Sequence, residues 1–88
     1  MKWTISFDKY ALKALSKLDK QNRNRILQFS KVDLLNLDNP RQIGKTLKGK
    51  FTGMWRYRVG DYRIICEIVD NELVIVAVEI KHRSNAYK

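Results

Sequence analysis

Among its 88 residues the chain has one cysteine, one histidine, one proline and four glycines, and half as many acidic side chains as basic ones. Each scarcity excludes something. A lone cysteine, Cys66, cannot close an internal disulfide, so no cystine scaffold is expected, and a reducing cytoplasm suits it. One histidine and one cysteine without paired spacing give no zinc motif, and no metal or other cofactor is expected. No apolar run approaches the roughly 18 residues of a spanning helix. The opening MKWTISFDKY has no signal-type apolar core, and no lipidation motif occurs, so a membrane is not an expected partner. GKTLKGK, from Gly44 to Lys50, lacks the spacing of a phosphate-cradling P-loop.

What is present is charge of one sign. Eighteen Lys and Arg against nine Asp and Glu leave a formal charge of +9. The surface potential of such a chain is positive over much of the molecule, and a polyanion, nucleic acid first, is its natural partner. Hydrophobic residues make up 44% of the sequence, with two Trp, four Tyr and three Phe among them. That is enough for one core and too little for two, so residues 1–88 read as a single domain. No repeat, linker or low-complexity stretch interrupts it.

The periodicity predicts an α+β domain of order βααβββ, a two-helix hairpin packed on a small, mostly antiparallel sheet. Trp3, Ile5 and Phe7 alternate with polar residues, as a half-buried strand requires. Asp8 then caps a helix whose Ala11, Leu15 and Leu18 share one face. Asp19 repeats the device for a longer helix carrying Ile26, Leu27, Phe29, Ser30, Leu34 and Leu37, expected to persist until Pro40 forces the chain out of helical geometry. A loop follows from Arg41 to Gly53. MWRYRV, a Gly60–Asp61 type II′ turn and YRIICEIV predict a hairpin. Asp70–Asn71 reads as a second turn. ELVIVAVEI, apolar at almost every position, reads as a central strand covered on both faces.

Alternation in MWRYRV sends Arg56 and Arg58 to one face, opposite Trp55, Tyr57 and Val59. Arg63 shares a face with Ile65 and Glu67 on the next strand, and the last strand delivers Lys81, His82 and Arg83 as its apolar run ends. Tyr87 lies four residues past Arg83, on the same side if a helical turn follows. These groups come from three neighbouring strands and can converge. Taken singly, each has a plainer role: a solvated strand face for Arg56 and Arg58, a structural place for His82, solubilising charge for Lys45, Lys48 and Lys50. Glu67 and Glu79, at even separations from Arg63 and Lys81, read as local ion-pair partners rather than catalytic acids.

From NPRQIGKTLKGKFTGMWRYRVGDYRIICEIVDNELVIVAVEIKHRSNAYK the chain resembles the RelE branch of the RelE/ParE toxin superfamily, the toxin halves of type II toxin–antitoxin modules. Pro-Arg, Leu-Lys-Gly, Gly-x-Trp-Arg-Tyr-Arg-Val-Gly-Asp-Tyr-Arg-Ile and His-Arg-x-x-x-Tyr occur in family order, and the resemblance spans the chain. It implies a metal-independent endoribonuclease that cuts messenger RNA in the ribosomal A site, held inactive by a cognate antitoxin protein. In such enzymes the RNA 2′-hydroxyl attacks the adjacent phosphate, leaving a 2′,3′-cyclic phosphate. Carried over residue by residue, the catalytic group is Arg63, His82, Arg83 and Tyr87, and Arg56 and Arg58 hold the phosphate; Lys81, Lys48 and Lys50 are expected to join them in binding it as further cations. Arg63, a planar fork able to grip two phosphate oxygens, is assigned transition-state charge. His82 and Tyr87 are alternatives for the general base. One departure is that Lys81 stands where many relatives have glycine; another is that the sequence ends one residue past Tyr87, where many continue into a helix.

Two other functions remain on the residues alone. A ParE-like gyrase poison would share the fold but has no chemical need for Arg63, His82, Arg83 and Tyr87 together. A non-catalytic RNA-binding module would use the basic face and aromatics, with affinity falling steeply as salt rises. In either toxin reading, the +9 charge favours an acidic or amphipathic antitoxin segment.

Overall fold

Alternating residues with apolar side chains on one face build a single sheet, and two capped helices cover that face. The computed structural model describes residues 3–85. Its elements run β1 (Thr4–Phe7), α1 (Lys9–Ser16), α2 (Lys20–Gln28), β2 (Lys45–Thr46), β3 (Trp55–Val59), β4 (Tyr62–Val69) and β5 (Val74–His82). The sheet order is β1-β5-β4-β3-β2, with β1 parallel to β5 and the other pairings antiparallel. The fold is α+β, as the periodicity predicts, with one strand more than expected. β2 is two exposed residues, Lys45 and Thr46, in a stretch whose glycines and lysines carry no alternation.

Both expected caps are present. The Asp8 carboxylate accepts from the Ala11 N–H at 2.9 Å, and the Asp19 carboxylate accepts from the Asn22 N–H at 3.2 Å. Caps of this kind contribute about 1 kcal/mol each. The second helix departs from expectation. Regular α-helix ends at Gln28, and a π-helical turn, Phe29–Asp33, follows, closed by the Leu34 N–H donating to the Phe29 carbonyl at 2.8 Å. Ile26, Ser30 and Leu34 are all buried. Residues spaced by four drift about 40° around an α-helix, and the extra residue of a π turn lets such a row stay on the core.

The core lies between the helices and one sheet face: Ala11, Leu15, Ile26 and Leu34 meet Tyr57, Val59, Ile64, Cys66, Ile75, Ala77 and Ile80. Each fully buried aliphatic contributes about 1.5–3 kcal/mol. Gly60 turns the β3–β4 hairpin with φ +59°, while Asp61 keeps negative φ, as a type II′ turn requires. The second turn is longer than expected. Asp70–Glu72 form a short 3-10 turn, Leu73 takes φ +55°, and β5 starts only at Val74.

β5 is central, flanked by β1 and β4, but it is not covered on both faces: Val74, Val76 and Val78 are only half-buried. Its apolar run reflects the preference of β-branched side chains for a pleated surface as much as burial. The strand also contains a bulge. Cys66 pairs with Ala77 and Ile65 with Glu79, so Val78 is the extra residue. Before it, Ile75 and Ala77 face the helices; after it, Ile80 does, and Glu79 and Lys81 face the open side.

Candidate active site

On β3 the two faces separate structure from chemistry. Toward the helices, the Tyr57 hydroxyl donates to the Pro40 carbonyl at 2.6 Å and the Trp55 indole N–H donates to the Ile43 carbonyl at 2.7 Å. These bonds hold the 40–46 segment against the sheet. Gly44, at φ +84°, lets the chain pass the Trp55 ring; a Cβ there would lie 2.5 Å from the Arg56 carbonyl oxygen.

On the open face, cross-strand registry places cations side by side. Arg58 is opposite Arg63, and Arg63 is opposite Lys81, one row across three strands. The next row is Lys45, Arg56, Ile65 and Glu79. Directly opposed residues in such rows have Cβ atoms about 5 Å apart. Arg63 is 9% exposed, deep in the row, whereas Arg58 is exposed. A groove of about 190 Å³ opens here, lined by Leu47, Lys48, Phe51, Arg56, Arg63, Ile65 and Lys81. A second hollow of about 230 Å³, at the β3 edge beyond β2, shares Arg56 with it. Lys81 Nζ lies 3.2 Å from Glu79 Oε1, an ion pair of two half-buried side chains and the partnership expected from their spacing.

The structure therefore brings together Arg56, Arg58, Arg63 and Lys81, and adds Lys48 from the loop. Lys50 does not line the groove; its ammonium sits 5.2 Å from the centre of the Phe51 ring. His82 stands apart. It pairs with Tyr62 on the helix side of the sheet, ring against ring at 5.2 Å in an edge-on contact. The Ser84 N–H donates to its Nδ1 at 3.2 Å, with the Ser84 hydroxyl 2.8 Å away. Lys81 and His82 are consecutive and so take opposite faces; the bulge at Val78 decides which, sending Lys81 to the open side and His82 toward the helices. Arg83 is exposed past the strand end, its N–H donating to the Asp61 carbonyl at 2.7 Å and its Nε 3.8 Å from the Asp61 carboxylate. Tyr87 lies outside the described residues. Leu47 and Phe51, the apolar walls, and Lys45, in the row with Arg56, are not among the residues expected from the sequence, where their one signal is two apolar residues set in a glycine- and lysine-rich loop.

A guanidinium set between two other cations favours a ligand with several anionic oxygens, and a groove walled by Leu47, Phe51 and Ile65 strengthens that attraction by excluding water. A phosphodiester fits both requirements. Comparison with known proteins then bears on what the groove serves. A family model described as "ParE toxin of type II toxin-antitoxin system, parDE" matches residues 5–87. The chain belongs to this family of type II toxins. Within it, the chain is similar to Toxin RelG of Mycobacterium tuberculosis, 28% identical over 88 residues, covering 100% of this chain and 99% of the relative. Among solved structures, the toxin–antitoxin complex RelBE2 of Mycobacterium tuberculosis has a chain with TM-score 0.85 and 27% identity, covering 97% of this chain and 95% of that one. The archaeal RelE–RelB complex of Pyrococcus horikoshii has one with TM-score 0.75 and 32% identity, covering 98% and 100%. These likenesses make the chain a RelE-like toxin. No helix among the described residues is long and apolar enough to cross a membrane.

Proposed function

We propose that this RelE-like toxin is an endoribonuclease that cuts messenger RNA in the ribosomal A site and is held inactive by a cognate antitoxin. The observation that carries the proposal is the row Arg58, Arg63, Lys81 with Arg56 beside it, of which Arg56, Arg63 and Lys81 line one groove. Cleavage by the neighbouring 2′-hydroxyl passes through a phosphorane bearing more negative charge than the starting diester. Preorganised cations lower that barrier most when they are fixed and desolvated. Arg63, nearly buried, is the fixed one; Arg56, Arg58 and Lys48 steer and hold the strand. Arg83, at the hairpin end, would meet the chain beyond the cut. Complexes such as RelBE2 and the archaeal RelE–RelB pair a toxin with its antitoxin, and the +9 charge suits an acidic partner here.

The test is induced expression of the wild type and of Arg63→Ala with new messenger RNA 5′ ends mapped across the transcriptome. Cuts inside translated frames, lost in the variant, are expected. Growth arrest without such cuts would instead favour a gyrase poison, the function implied by a ParE-like reading.

A further inference from the structure

The hollow of about 230 Å³ at the β3 edge stands outside the groove, but Arg56 lines both. Its other walls are Phe29, Ile43, Gly44, Lys45, Tyr57 and Arg58, cations around an apolar floor. Phe29 is half-buried and leans on Tyr57, ring centres 5.6 Å apart. It opens the π turn Phe29–Asp33, and such turns are frequent at functional sites. Ile43, 40% exposed, is held at the rim by the bond from the Trp55 indole to its carbonyl. The sheet edge is open here, because β2 covers β3 at Trp55 and Arg56 and reaches no further. In a two-residue hairpin the pair beside the turn, Val59 and Tyr62, exchanges both hydrogen bonds. Alternation then turns the N–H and C=O of Arg58 away from β4, toward the side that β2 has left.

We infer that this hollow is a subsite for one unstacked RNA base, that of a nucleotide flanking the cut; this rests on the ribonuclease reading above. Single-stranded RNA is gripped by splaying a base out, stacking it on aromatic or guanidinium planes and hydrogen-bonding its edge. The hollow offers the Phe29 ring, the Arg58 side chain and the outward peptide edge of Arg58. Its volume is below the roughly 300–1,000 Å³ of sites for drug-sized ligands, so it takes one ring system and leaves the sugar and phosphate outside among Lys45, Arg56 and Arg58. Because Arg56 lines both spaces, a phosphate in the groove and a base in the hollow can be neighbours on one strand. An aliphatic side chain of an antitoxin would fill the apolar floor and leave the peptide edge without a partner. A base satisfies both, since its faces stack and its edge carries donors and acceptors. Phe29 and Ile43 are then positioning residues for the strand.

The experiment is single-turnover cleavage on ribosomes programmed with a messenger RNA that the wild type cuts, each nucleotide flanking the cut being intact or, in turn, abasic. The wild type is compared with Ile43→Trp, which fills the hollow from its rim, and Phe29→Leu, which stays apolar and removes the aromatic face. At one flanking position, loss of the base should slow the wild type by about tenfold, the usual worth of one base stacked on an aromatic ring. Both variants should be slowed by a similar factor on intact RNA and lose little more when that base is removed. Any effect of the missing base on the ribosome is common to wild type and variant and cancels in the comparison. Thermal midpoints within a few degrees of wild type confirm folding; if Phe29→Leu falls further, Ile43→Trp at the exposed rim decides alone. Variants that lose a further tenfold on the abasic RNA overturn the subsite. Cleavage of intact RNA within twofold of wild type overturns it too and leaves the ribonuclease reading standing; weaker inhibition of such variants by the antitoxin would then give the hollow to the antitoxin. Absence of cleavage by the wild type removes both.

Discussion

Two hydroxyls buried in the same core have opposite standing. Tyr57, 1% exposed, donates to the Pro40 carbonyl, and burial pushes its ionisation well above the usual phenol range, so it stays a neutral donor. Tyr57→Phe leaves a buried carbonyl without its donor and should cost about 1–3 kcal/mol in urea denaturation. The Ser30 hydroxyl is equally buried, in the π turn, and has no hydrogen-bond partner among the described residues. Ser30→Ala removes a desolvated group that nothing satisfies, and should raise the unfolding midpoint, equivalent to about 1 kcal/mol. A fall on Ser30→Ala would show that the hydroxyl is bonded in solution. Burial likewise pushes the Cys66 thiol up to about 12. A disulfide reagent should therefore label the folded protein only at the rate of global unfolding, measured by stopped flow in urea.

Between elements, one tie is pH-sensitive. Arg41, just after Pro40, donates to both carboxylate oxygens of Asp70 at 2.7 and 3.0 Å, joining the segment before β2 to the β4–β5 turn. The Arg41 hydrogen bonds hold Asp70 below the ordinary carboxylate range, and hydrogen bonds from Asn22 do the same for the cap Asp19. A depressed folded-state value contributes stability above the unfolded value, about 4, and loses it as pH falls through the lower folded value. Thermal midpoints should therefore decline on acidification below about pH 4, and Asp70→Asn should flatten part of that decline while leaving the rest to Asp19. Elements set by local chemistry were legible in the sequence: the Asp8 and Asp19 caps, the alternation of β3, the Gly60 turn. What escaped depended on pairing between distant segments. β2 is too short to have a period, and the bulge exists only because β5 must register with β1 and with both halves of β4. For the same reason the faces of Arg56, Arg58 and Arg63 follow from alternation within their own strands, while the side taken by Glu79, Lys81 and His82 could not be read from counting residues.

At the scale of the whole molecule, both helices sit on one face of the sheet and the cations on the other, so packing and substrate binding draw on different side chains. Arg58→Ala, at an exposed position, should leave the unfolding midpoint within experimental error yet weaken toxicity. Binding of a single-stranded RNA should fall with salt, and the logarithmic slope should drop by about 0.7 in that variant for one lost phosphate contact. An unchanged slope would place Arg58 outside the path of the strand. The bulge gives the separation of faces an unexpected genetic corollary. Along β5 a scan of charged substitutions should find intolerance at odd numbers through Ala77 and at the even number 80, a rhythm that skips a beat at Val78. Residues on both sides of that beat already sit in register with β4, which makes codon 78 the place in this strand where the gene can lose three bases without exchanging inside for outside.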